Sequence, residues 1–217
     1  MNKLFDNNNP LMKGLSVMAS LMAVELLALL CALPLVTAGA AYAAMNDYIL
    51  RLVREEEGPL LRGYFRAFSA NWRKATVLWL LLVAALAFVL FDYRAAGVYI
   101  PLLRLPVAAV GVLLLTVAFY AFALLTRYEN TLGNTLKNAA LLAVGFFPRT
   151  LGMLLFTAVF WVLGLTAWRV VTPLLVLFGL SLPCYVGMQI MNPIFTELEK
   201  NAPSEDGVLN NKEEIEP

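Results

Sequence analysis

Between residues 105 and 126 the chain runs 22 positions without a charged side chain. A helix of about 20 apolar residues crosses the roughly 30 Å hydrocarbon core of a bilayer. In that core each backbone N–H and C=O needs a partner from the protein itself, so helices are the usual way through. Comparable uncharged runs lie at 75–91, 151–167 and 170–194, and residues 14–45 form a fifth with a single acid, Glu25. Only 14% of the 217 residues are charged, against about a quarter in soluble domains. The expected fold is therefore all-α: a polytopic membrane helical bundle of about five transmembrane helices over residues 1–195. Residues 196–217 are acidic without an apolar run, and read as a disordered cytoplasmic tail. The lipid bilayer is the first partner implied. A net charge of +1 gives no reason to expect nucleic acid.

Residues 14–45 are too long for one simple span. Ala41-Tyr42-Ala43 has the form of a signal-peptide cleavage site, but the run is about twice a usual signal core and contains Glu25. Pro34 has no N–H and crowds the preceding turn, so a helix bends or ends there. One span is expected at 15–36, with a second helical piece starting near Thr37 and leaving the membrane through Ala44. The alternative is a re-entrant hairpin over 14–45, which would turn the N-terminus inward.

Residues 45–76 hold six of the sixteen Lys and Arg. Ile49, Leu52 and Val53 share one helical face, and Arg51, Arg54 and Glu55 another. Gly58-Pro59 should break that helix. Beyond it Leu60, Leu61, Tyr64, Phe65 and Phe68 form an apolar face from which Arg62 and Arg66 are excluded, as in an amphipathic helix lying on the membrane surface. Trp72, Arg73 and Lys74 mark the interface where the next span begins. A second surface helix is expected within 127–150, with Lys137 and Arg149. The basic pairs Arg62/Lys74 and Lys137/Arg149 each lie 12 residues apart, offset by 75, which suggests a weak internal repeat of two parallel units.

The connections at 45–76 and 127–150, with the tail, carry eleven Lys and Arg; the remaining connections and the N-terminus carry five. Positive charge favours the cytoplasm. This predicts a multi-pass protein of the cytoplasmic membrane with its N-terminus outside and its C-terminus cytoplasmic.

The chain has no histidine, which excludes a Ser-His-Asp triad and His-ligated metal. Cys31 and Cys184 sit in apolar runs and read as packing residues. No phosphate-binding loop, nucleophile elbow or catalytic acid pair appears, so no enzyme, cofactor or metal is expected. Glu25 is the candidate intramembrane polar site, since a carboxyl in lipid is costly and often functional. Thr116, Tyr120, Thr157, Gln189 and Asn192 are scattered polar groups that mostly serve helix pairing. Ala38, Gly39 and Ala40, and the glycines at 111, 145, 152, 164, 179 and 187, are expected to let helices approach closely. The candidate partner-contact surface comprises Glu56, Glu57, Arg62 and Arg66 together with Trp72, Arg73 and Lys74. Lys137 and Arg149 complete it.

Residues 29–40, LLCALPLVTAGA, resemble the L-C-x-L-P-x-x-T-x-G pattern of the YesL-like family of bacterial integral membrane proteins, a domain of unknown function seen mainly in Gram-positive bacteria. Glu56-Glu57-Gly58, Arg62 to Phe68 and the NWRKAT of 71–76 resemble that family's acidic–glycine turn and its approach to the second span. The resemblance implies a small helical bundle tied to carbohydrate uptake, with a sugar-transporter component as partner. It brings no catalytic residues. The family pattern has Asn where this chain has Glu25, which favours a polar group there over a proton carrier. Two functions follow as expectations: an accessory protein of carbohydrate uptake, or a small oligomeric transporter or channel using Glu25.

Overall fold

The computed structural model describes residues 10–56, 58–99, 101–128, 130–166 and 168–201. Helix α1 (Pro10–Cys31) stops before Pro34, and a single 3-10 turn (Leu35–Thr37) leads into α2 (Ala38–Val53). The Thr37 hydroxyl donates to the Cys31 carbonyl (2.7 Å), which the end of α1 leaves without a helical partner, and to the Pro34 carbonyl (2.8 Å) in the turn.

α2 folds back along α1. Lys13, in the first turns of α1, lies 3.8 Å from Glu55 just past the end of α2. Ser16 and Ser20 of α1 share a cavity with Tyr48 and Arg51 of α2. The hairpin form of residues 14–45 therefore describes the chain, and the start of α1 lies at the same end of the bundle as the charged connection. The expectation of one full crossing that separates the two does not fit this geometry. Pro34 turns the chain right round instead of bending it.

α2 ends earlier than Gly58-Pro59 would place it. Glu55 has φ 57°, and the N–H groups of Glu55 and Glu56 bond the carbonyls of Leu52 (3.2 Å) and Arg51 (2.9 Å). This left-handed cap usually carries glycine.

α3 (Leu60–Tyr99) is one continuous helix of 40 residues. The surface helix expected at 60–74 is thus the first part of the span's own helix, and Trp72–Lys74 mark no break. No proline occurs between 60 and 99 to interrupt it. The Trp79 indole donates to the Leu35 carbonyl (3.2 Å), which fixes the tip of the α1–α2 hairpin at that level of α3. From there to Gly97, where α3 meets Arg104, the helix runs on for about 27 Å at 1.5 Å per residue.

A 3-10 turn (Pro101–Leu103) joins α3 to α4 (Arg104–Arg127), which returns beside it. α5 (Leu132–Gly145) is the expected second short helix, capped by the Thr131 side chain. It stops at Phe146, and α6 (Phe147–Thr166) begins with Pro148 in its first turn, where a missing N–H costs nothing. The two halves of the suggested repeat therefore differ: the first is a continuous helix, the second a broken one. The run at 170–194 forms two helices, α7 (Trp168–Phe178) and α8 (Ser181–Asn201), bent by 48° at Gly179-Leu180. The helix continues through Asn201, past the expected start of the tail; residues 202–217 lie outside the described part.

α2 is the centre, touching α1, α3, α4 and α8. Its Ala40, Ala43, Ala44, Met45 and Ile49 are fully buried against Tyr120–Leu125 of α4 and Met188 and Met191 of α8. The outward faces carry Leu80, Phe88, Val112, Leu155 and Val162, all at least half exposed except Val112 at 49%. An apolar exterior of this kind fits lipid. Among the described residues four helices are long and apolar enough to cross a membrane, or five if α7 and α8 form one bent span. Gly39, Gly164 and Gly187 sit at close contacts with neighbouring helices, as expected; Gly179 is crowded by the Leu175 carbonyl of its own chain segment, and Gly145 and Gly152 have open space around them.

Candidate functional site

Glu25 is 1% exposed. Its two carboxyl oxygens accept from the Leu180 N–H (3.1 and 3.2 Å), and one also accepts from the Ser181 N–H (2.5 Å). The cause lies in α8. A proline ring clashes with the carbonyl four residues earlier, which for Pro183 is that of Gly179, so the helix breaks there. The break orphans the first N–H groups of α8, and inside a membrane no water satisfies them. Glu25, reaching across from α1, does so at the positive end of the α8 dipole. Beside it Asn46 donates to the Tyr42 carbonyl (2.7 Å), and the Cys184 thiol contacts Asn46 Oδ1 (3.4 Å).

The scattered polar groups singled out in the sequence are each engaged, whereas the buried Thr76 and Ser181 hydroxyls have no hydrogen-bond partner among the described residues. Thr116 and Thr157 bond carbonyls of their own helices. Tyr120 pairs with Thr150 at 2.9 Å, Gln189 donates to Tyr185, and Asn192 accepts from Arg54 at 3.0 Å. They do not converge on a common polar path.

A cavity of about 470 Å³ opens at the charged end, between the start of α1, the end of α2 and the start of α3. Arg51, Arg62 and Arg66 line it with Ser16, Ser20 and Tyr48, and Glu56 stands among them. Arg51 pairs with Asp47 one turn back. Burial raises the Asp47 carboxyl above its usual pKa, while the charges of Arg51 and Arg66 pull it down.

Of the expected contact surface, Glu56, Arg62 and Arg66 are brought together here. Glu57 lies outside the described residues. Arg73 stacks on the neighbouring Trp72, and Lys74 donates to the Asn130 carbonyl (3.4 Å). Lys137 is exposed on α5, and Arg149 lies over the Phe146 ring. None of these five lines the cavity. Sequence reasoning missed Arg51, Tyr48, Ser16 and Ser20. The serines carried a signal: they lie four apart, on one face of a mostly apolar helix.

No curated protein and no solved structure matches the chain. One family model does, over residues 19–93, a little over a third of the length. That segment holds Glu25, the α1–α2 turn and all three cavity arginines. It is similar to the family described as "Protein of unknown function, DUF624", with which the YesL-like resemblance is consistent.

Proposed function

We propose that this chain is a non-enzymatic, multi-pass protein of the cytoplasmic membrane that serves as an accessory or partner in carbohydrate uptake. The membrane part follows from the long apolar helices. The link to sugars rests on the YesL-like resemblance. The docking part rests on one observation: Arg51, Arg62 and Arg66 converge at one end of the bundle, two of them on its exposed face. Exposed guanidinium groups select acidic partners and speed their encounter. We place this end in the cytoplasm, on the bias of Lys and Arg, with the start of α1 and the end of α8 on the same side. Transport through Glu25 has less behind it, because its carboxyl is already held by two backbone N–H groups.

The test is co-purification after cross-linking in native membranes. The double variant Arg62→Glu/Arg66→Glu is expected to lose a sugar-transporter component while inserting at normal levels. Unchanged recovery of that component would remove the docking role.

A further inference from the structure

We propose that the basic cavity is a binding site for a phosphate-bearing group, held by Arg51, Arg62 and Arg66 with Ser16, Ser20 and Tyr48. Each of three helices contributes a pair at helical spacing: Ser16 and Ser20 from α1, Tyr48 and Arg51 from α2, Arg62 and Arg66 from α3. Guanidinium forks match phosphate oxygens in pairs, and hydroxyls supply bonds to the oxygens that remain. Gly58 and Pro59, at the positive start of α3, also face the cavity.

The charge balance favours an anion. Arg51 is paired with Asp47, and Glu56 is the one acid among the described lining residues. Arg62 and Arg66 make no ion pair within 4 Å with any described residue.

Gly63 lies against the Arg51 guanidinium. It sits inside α3, where glycine is about 1 kcal/mol poorer than alanine. A Cβ there would come within 3.3 Å of the Arg51 guanidinium. The 470 Å³ volume exceeds a bare phosphate and lies in the range of small-molecule pockets, roughly 300–1,000 Å³. Two sources fit: a soluble phosphate ester, or the headgroup of an anionic lipid entering beside the exposed Leu15 and Met18 of α1.

This goes beyond the docking role and is read on purified protein alone, so the two can fail separately. The protein in phosphatidylcholine nanodiscs is melted against potassium phosphate, with potassium chloride at equal ionic strength as control. In a second arm phosphatidylglycerol replaces part of the phosphatidylcholine. Stabilisation by phosphate over chloride identifies a soluble ligand; stabilisation by phosphatidylglycerol alone identifies a lipid headgroup. In either case Arg62→Gln/Arg66→Gln is expected to weaken the response roughly tenfold or more, and Arg94→Gln, exposed towards the far end of α3, to leave it unchanged. If the double variant does not fold, Arg51→Gln, which removes the cavity's third guanidinium, is expected to give the same loss. No response to either probe, or an equal response in the variants, overturns the proposal.

Discussion

Glu25 shows how a costly residue is held in an apolar core. Its carboxyl satisfies two N–H groups that a proline-induced break leaves bare. An unsatisfied buried donor costs about 1–3 kcal/mol. Glu25→Ala is therefore expected to destabilise the protein by about 3 kcal/mol, and Glu25→Gln, which keeps one acceptor, by about 1 kcal/mol. Denaturant titration in detergent micelles measures both; equal losses would argue against the capping role. The sequence marked Glu25 as an acid inside an apolar run. It could not disclose the partner, because Leu180 lies 155 positions further on and presents only its backbone. Glu55 is a similar case. Nothing in its side chain announces a left-handed cap, a conformation that costs a non-glycine residue roughly 1–2 kcal/mol.

At the scale of elements, the close packing of α2 on α3 depends on Gly39. A Cβ there would lie 2.3 Å from that of Trp79 and 2.6 Å from the Ala75 carbonyl. Gly39→Ala is expected to cost about 2 kcal/mol through overpacking, whereas Gly152→Ala, in open space, should stabilise by up to about 1 kcal/mol. The same micelle titration compares them. Helix existence was largely legible: the apolar runs and Pro34 placed most elements. Boundaries were less so. The charges at Arg73 and Lys74 suggested a break in α3, yet charge alone does not stop a helix and no proline follows there. Pro148 does stop α5, which is why two stretches with matched basic residues fold differently. The hairpin was readable only as an alternative, since the bond from Trp79 to Leu35 that fixes its tip joins residues 44 apart.

For the whole molecule, the hairpin brings the start of α1 and the first turn of α3 to one end, opposite the α3–α4 turn. Single cysteines at Lys13, Arg62 and Arg104 test this with an impermeant thiol reagent on intact cells. Arg104→Cys is expected to label, and Lys13→Cys and Arg62→Cys to stay protected. Labelling at Lys13 with protection at Arg62 would restore a full first crossing and remove the hairpin. One consequence concerns biogenesis. The ribosome releases α1 long before Leu180 exists, so the acid must enter the bilayer among strangers and wait. Assembly is then sealed from α8 backwards, and a nascent chain halted short of that residue would hold an unmet acid at its heart, an evident mark for quality control.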